Sequence, residues 1–130
     1  MKKAPLFTLI LSATLLSATC LDIGGLKLNT TSQLMWSQQA TSNFTYTNAK
    51  LYCSNLDEGT YDDWVLPNIN ELSTEIITDG NNAICFSPDR HWSATSYATD
   101  GTKAYVTYNN RVRTNTKVTT RKVRCVRPAN

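Results

Sequence analysis

The sequence predicts one disulfide-stapled α+β domain, with two helices packed on a twisted antiparallel sheet. Helix-type patterns are followed along the chain by a run of strand-type patterns, an order that is typical of α+β domains. The length of 130 residues suits one domain, and 41% hydrophobic with 18% charged residues is the composition of an ordinary globular protein. Four cysteines can cross-link such a domain.

The N-terminus has the features of a secretory signal peptide. Two lysines precede an apolar run over residues 6–16, and the small residues Ser17 and Ala18 follow it. This run of roughly 11 residues is too short to span a membrane, and no other segment is a candidate span. We expect cleavage after Ala18, so that residues 1–18 form the signal peptide and residues 19–130 form a single exported domain, periplasmic or secreted to the cell surface.

Cys20 has two alternative fates, which depend on where the signal is cut. The run 17–20 loosely resembles a lipobox, and in that minority interpretation Cys20 carries a lipid and the protein is a lipoprotein. Cleavage after Ala18 instead leaves four cysteines, an even number, in an oxidising compartment, which favours disulfides. Four cysteines allow three pairings. The sequence contains no CxxC pair, so the spacing of the cysteines does not indicate a metal site.

Two segments are predicted to precede the first helix. Alternating apolar residues between Leu21 and Leu28, interrupted by two glycines, predict a short strand or arm. The run Leu34-Met35-Trp36 is apolar and is followed by polar residues, which predicts a buried strand whose tryptophan belongs to the core.

The first helix is predicted from apolar spacing near residue 50, with Thr45 or Thr47 as its N-cap. Its apolar positions fall at i, i+3, i+4 and i+7: Ala49, Tyr52, Cys53 and Leu56. The acidic run 57–63 then ends the helix. This run lacks the ordered oxygen-ligand pattern of an EF-hand calcium loop, so we interpret it as a solvated connector and expect no metal and no cofactor.

A second helix is predicted to begin directly after Pro67, in a corner that also contains the core residue Trp64. Pro67 favours an extended approach, and Asn68 with Glu71 three residues later has the spacing of a capping box. The apolar face recurs at Ile69, Leu72 and Ile76. We expect this helix to fade near residue 78, with Asp79-Gly80 as its stop.

The remaining chain predicts a β-meander of four strands, over residues 92–96, 103–108, 111–114 and 119–126. Asn109-Asn110 suits a two-residue hairpin connection, because asparagine tolerates positive φ. In the last strand, alternation predicts that Val123 and Cys125 point inward while Lys122 and Arg124 face water.

Five segments together resemble a known bacterial family. They are LMW (34–36), AKLYCSNL (49–56), YDDWVLPNINEL (61–72), HWSATSYA (91–98) and KVRCVR (122–127). Their order and spacing are similar to those of the Legionella collagen-like protein C-terminal domain family, which implies a C-type-lectin-like fold. In that fold a disulfide joins the first helix to the final strand, which implies the pair Cys53–Cys125 and leaves Cys20–Cys85. Val65 and His91 depart from the family pattern, which usually has Arg and Tyr at these positions.

The sequence lacks the parts of an enzyme. It contains a single histidine, His91, and no nucleophile elbow, no glycine-rich phosphate loop and no cluster of metal ligands. We interpret His91 as a sheet-edge residue. The residue triplets of calcium-dependent lectins are also absent, so the sequence predicts neither catalysis nor a calcium site.

Charge is strongly polarised along the chain. Residues 21–89 carry two basic and nine acidic side chains, a net charge of −7, whereas residues 90–130 carry nine basic and one acidic, a net charge of +8. A basic sheet face can bind an anionic partner, although the same pattern also fits outward positions that the acidic half of the domain neutralises. Nucleic acid is a disfavoured partner, because the protein is exported and has no recognised nucleic-acid motif.

These observations give two hypotheses for function. The first is a calcium-independent binding or adhesion domain for an anionic polysaccharide or another surface ligand. The second is an envelope protein-binding module, an inhibitor or an assembly subunit, with no glycan ligand. The candidate ligand-binding residues are Tyr105, Tyr108, Arg111, Arg113, Lys122 and Arg124.

Overall fold

The computed structural model describes residues 20–77, 85, 89–109 and 111–130. Within these residues the chain forms an α+β fold with two helices and two antiparallel sheets. In chain order the elements are β1 (Cys20–Ile23), β2 (Leu26–Asn29), β3 (Leu34–Trp36), α1 (Tyr46–Ser54), α2 (Ile69–Ile77), β4 (His91–Ser96), β5 (Lys103–Tyr108), β6 (Arg111–Thr116) and β7 (Val126–Pro128). The predicted signal peptide and the predicted helix stop at 79–80 lie outside the described residues.

The predicted single sheet is divided into two. One has the strand order β1-β2-β3-β7 and the other has the order β4-β5-β6. The predicted short strand near residue 21 is a hairpin, β1 with β2, whose turn is formed by Gly24 and Gly25 with φ of +62° and +93°. Positive φ is readily adopted by glycine, which explains why the chain can turn so tightly there.

The prediction for the final strand was wrong. Residues 119–125 do not extend the meander, and β7 instead pairs with β3 in the other sheet. We call residues 119–125 the crossing segment. The physical reason is that its backbone groups form hydrogen bonds with two different parts of the chain. Phe44 and Arg121 exchange hydrogen bonds on one side, while Trp92 N donates to Lys122 O on the other, so no continuous ladder can form.

The meander itself is confirmed for β4, β5 and β6. Tyr108 pairs directly with Arg111, and Asn109 has the expected positive φ of 50°, while Asn110 of the predicted hairpin connection lies outside the described residues. Strand β6 is two residues longer than predicted, because its pairing with β5 continues as far as the pair of Lys103 with Thr116.

Both helix starts follow the predicted capping chemistry. Thr45 Oγ1 accepts a hydrogen bond from Asn48 N and caps α1, which ends at Ser54, before the predicted apolar position Leu56. At α2 the capping box is complete. Asn68 Oδ1 accepts from Glu71 N at 2.8 Å, and Glu71 Oε1 accepts from Asn68 N at 2.9 Å.

The core is built on tryptophans and cross-linked by two disulfides. Trp36, Trp64 and Trp92 are at most 1% exposed, and the burial of Trp36 and Trp64 confirms the sequence prediction. The disulfides are Cys53–Cys125 and Cys20–Cys85, the pairing implied by the family resemblance. The Cys20–Cys85 disulfide corresponds to the predicted alternative to lipid attachment at Cys20. No helix within the described residues is long and apolar enough to cross a membrane.

Candidate functional site

The strand register assigns the side chains of β5 and β6 to two faces. Directly paired residues point to the same face, and neighbours along a strand point to opposite faces. Val106 pairs with both Trp92 and Arg113, and the Trp92 ring packs edge-on against Tyr46 of α1. We call the face of the three-stranded sheet that carries Trp92, Val106 and Arg113 the α1 face. Tyr108 shares it, two residues further along β5 from Val106.

The α1 face ends in an open depression that arginines surround. Its volume is about 270 Å³, and it is lined by Arg90, Tyr108, Asn109, Arg111 and Arg113. The guanidinium carbon of Arg90 lies 4.4 Å from the centroid of the Tyr108 ring, a cation–π contact that orients the arginine. The β5–β6 hairpin therefore supplies the base and two cationic walls, and the residue before β4 supplies the third.

A fourth arginine, Arg121, approaches from the crossing segment. Its Nε donates to Asn115 Oδ1, and its Nη1 donates to Thr120 O at 2.9 Å. Asn115 pairs with Ala104 on the α1 face, so Arg121 lies on that face as well. Burial lowers the pKa of the Arg121 guanidinium, and the like charge of Arg90 lowers it further.

We name Arg90, Arg111, Arg113 and Arg121 the arginine cluster. In the part of the chain that the structure describes, none of the four forms an ion pair. The ion pairs found there engage Lys27, Lys103 and Arg127 instead. Like charges held close together repel one another, and a bound anion relieves that repulsion through charge-assisted hydrogen bonds, which guanidinium groups form with two parallel donors. The chemistry suited to this site is therefore the binding of an oxyanion.

The structure brings only half of the predicted site residues together. Tyr108, Arg111 and Arg113 lie at the cluster. Tyr105 points to the opposite face, where its ring packs edge-on against Tyr97 at 5.5 Å between centroids. Lys122 also belongs to that face, because it pairs with His91, which pairs with Thr107.

Arg124 does not face water as predicted. Its side chain is half-buried, its Nη1 donates to Ser37 O at 3.0 Å, and burial lowers its pKa. The predicted inward positions of Val123 and Cys125 are confirmed, since both are fully buried. Arg124 nevertheless lies beside residues 37–39 rather than at the surface of a meander, because the segment that contains it crosses between the two sheets.

The site list drawn from sequence missed Arg90 and Arg121. Strand alternation contained the information for both. Arg121 has the parity of the inward residues Val123 and Cys125, and Arg90 has the parity of Trp92, so both belong to the α1 face.

Two buried titratable groups do not belong to the cluster. His91 belongs to the edge strand β4, as predicted, but is fully buried, with Nδ1 2.8 Å from Asp89 O. Burial lowers the pKa of His91 to about 4, so the imidazole is neutral at pH 7. Burial raises the pKa of Glu75 to about 7. Over the described ranges, no group of three or more His, Cys, Asp or Glu side chains is arranged to hold a metal ion.

Comparison with known proteins identifies one related family. The family model described as the Lcl C-terminal domain matches residues 26–127, most of the chain and all the elements from β2 onward except the last residue of β7. A search of curated proteins found no match.

Proposed function

From the premise that this chain belongs to the Lcl C-terminal domain family, we propose that it is an exported, calcium-independent binding domain for an anionic polysaccharide. The arginine cluster is the binding site in this proposal. The proposal assigns binding to the domain and no catalysis.

The proposal includes a C-type-lectin-like fold. In support, the Cys53–Cys125 disulfide joins α1 to the residue directly before the final strand, the cross-link that this fold uses. Two helices combined with two antiparallel sheets fit the same architecture. Export is supported by the two disulfides, which persist in oxidising compartments and are rare in the cytosol.

One observation carries the choice of an anionic ligand. Four guanidinium groups from three separate parts of the chain converge on one face, and no described carboxylate pairs with them. Two of the four side chains, Arg111 and Arg113, are exposed and so remain accessible to a large ligand. A polysaccharide with several sulfate or carboxylate groups can contact all four cations at once.

The test is binding to immobilised sulfated and carboxylated glycans over a range of salt concentrations, with and without a calcium chelator. The variant R111S/R113S should weaken binding at least about tenfold and lower the slope of log K against log salt by about two, by analogy with counterion release from nucleic acids. The matched control K50S/K103S removes the same number of charges away from the cluster and should retain the parental affinity and slope.

Equal binding by the parent and R111S/R113S would refute the proposal. A parent that binds no glycan but captures a stable envelope protein would instead support the protein-binding module. Loss of binding on chelation would contradict calcium independence, because the proposal needs no cation other than the arginines.

A further inference from the structure

A second cleft lies on the four-stranded sheet and shares no residue with the arginine cluster. Its volume is about 380 Å³, within the usual range of ligand sites. It is lined by Asp22, Gly25, Lys27, Gln38, Gln39 and Arg124. These residues come from the β1–β2 hairpin, the segment after β3 and the segment before β7, so the fold brings Arg124 to two stretches near the start of the domain. We call it the Lys27–Arg124 cleft.

The hairpin wall of this cleft is fixed by hydrogen bonds. Asp22 Oδ1 accepts from Gly25 N at 2.9 Å, and Asp22 Oδ2 accepts from Lys27 Nζ at 2.8 Å. The backbone of Gly25 also approaches Gln38 closely. A Cβ at residue 25 would lie 3.0 Å from Gln38 Nε2, and φ at this residue is +93°, so both space and backbone conformation favour glycine. This wall therefore requires little ordering when a ligand binds.

The opposite wall is also held in place. Gln38 N donates to Glu58 Oε2 at 2.9 Å, which fixes the backbone where the two glutamines begin. Arg124 Nη1 donates to Ser37 O at 3.0 Å, and the next residue, Cys125, is anchored by its disulfide to α1. Arg124 thus presents a half-buried guanidinium in a defined orientation.

The charges in and beside the cleft are balanced, unlike those of the arginine cluster. Lys27 is neutralised by Asp22. Burial lowers the pKa of Arg124, and the nearby negative charge of Glu58 offsets part of that effect. The two glutamines add carboxamides, each with both a donor and an acceptor. A site of this kind offers no net attraction to a polyanion, but it offers alternating donors and acceptors at short range.

From this geometry we infer that the Lys27–Arg124 cleft binds a neutral, polyhydroxylated ligand of the size of one monosaccharide residue. Each hydroxyl of such a ligand both donates and accepts a hydrogen bond, which matches the mixed lining. This inference does not depend on the proposed function of the arginine cluster.

The test is ¹⁵N NMR of the purified exported chain titrated with the methyl glycosides of glucose, galactose, mannose and N-acetylglucosamine. At least one glycoside should shift the side-chain amide signals of Gln38 and Gln39 saturably, with a Kd in the millimolar range. Because the ligand is neutral, the Kd should be the same at about 50 mM and about 500 mM NaCl. The double variant Q38A/Q39A should raise the Kd at least about tenfold.

Two controls keep the result interpretable. If Q38A/Q39A lowers the melting temperature, Lys27→Met applies the same test from the other wall and should also raise the Kd. R111S/R113S should retain glycoside binding even where it loses binding to sulfated glycans. The inference is overturned if no glycoside shifts these amides, if the cleft variants bind as the parent does, or if R111S/R113S abolishes glycoside binding.

Discussion

Glu75 gives the sharpest test of the structure, because it is a fully buried carboxyl in the last turns of α2. Its Oε2 accepts a hydrogen bond from Asn29 Nδ2 of β2 at 2.6 Å. Asn29 is itself fixed, since its Oδ1 accepts from Thr31 N at 2.9 Å and from Ser32 N at 3.1 Å. The carboxyl therefore links α2 to the turn between β2 and β3.

Burial raises the pKa of Glu75 from 4.5 to about 7, although the hydrogen bond from Asn29 lowers it in part. The folded state thus binds the proton more tightly than the unfolded state does. The stability contributed by this proton is fully present below pH 4.5 and is lost as the pH rises through about 7. The rise in the pKa of Glu75 from 4.5 to about 7 corresponds to about 3 kcal/mol of folding stability lost at pH 8.

The perturbation is Glu75→Gln, which keeps an oxygen for Asn29 Nδ2 and removes the titration. Urea unfolding with both disulfides intact, repeated between pH 5 and pH 8, measures the effect. We expect parent and variant to have similar free energies of unfolding near pH 5 and the variant to be more stable by about 1–3 kcal/mol at pH 8. Parallel pH profiles, or a variant that is less stable at pH 8, would refute this account of Glu75.

Further predictions concern the core and the cross-links that hold the fold together. Trp64→Ala should lower the free energy of unfolding by about 3–5 kcal/mol, because Trp64 is 1% exposed and its removal leaves a large cavity; a loss below about 1 kcal/mol would contradict its burial. The variant C53A/C125A should lose about 4 kcal/mol, since this disulfide closes a loop with a sequence separation of 72 residues. Intact mass before and after reduction should show two disulfides, whereas EDTA should leave the melting temperature unchanged; strong destabilisation by EDTA would show that a metal supports the fold.

Local chemistry made much of this fold predictable from sequence. The caps at Thr45 and Asn68 depend on residues three apart, and the 109–110 hairpin depends on two asparagines between alternating strands, so each is encoded within a short window. The disulfide pairing came from family resemblance, because spacing alone leaves three pairings open.

The errors came from contacts between distant residues. The pairing of β7 with β3 joins segments about 90 residues apart, and no local pattern distinguishes it from a longer meander. Glu75 was overlooked for a related reason. It lies three residues after Leu72 and so belongs to the buried face of α2, but the charge of its side chain excluded it from a search for apolar periodicity.

The basic residues predicted to share one sheet face lie on two faces in the structure, and a last prediction uses one residue from each, Arg90 and Lys122. These residues are neighbours, joined by a hydrogen bond from Lys122 N to Arg90 O at 3.1 Å, and both are partly exposed. Arg90 stacks on Tyr108 of the α1 face, whereas Lys122 pairs with His91 on the opposite face. Arg90→Ser should therefore weaken binding to a sulfated glycan and reduce its salt dependence, while Lys122→Ser, which removes the same charge from the opposite face, should change neither. Equal losses in the two variants would show that net charge, rather than the α1 face, determines binding.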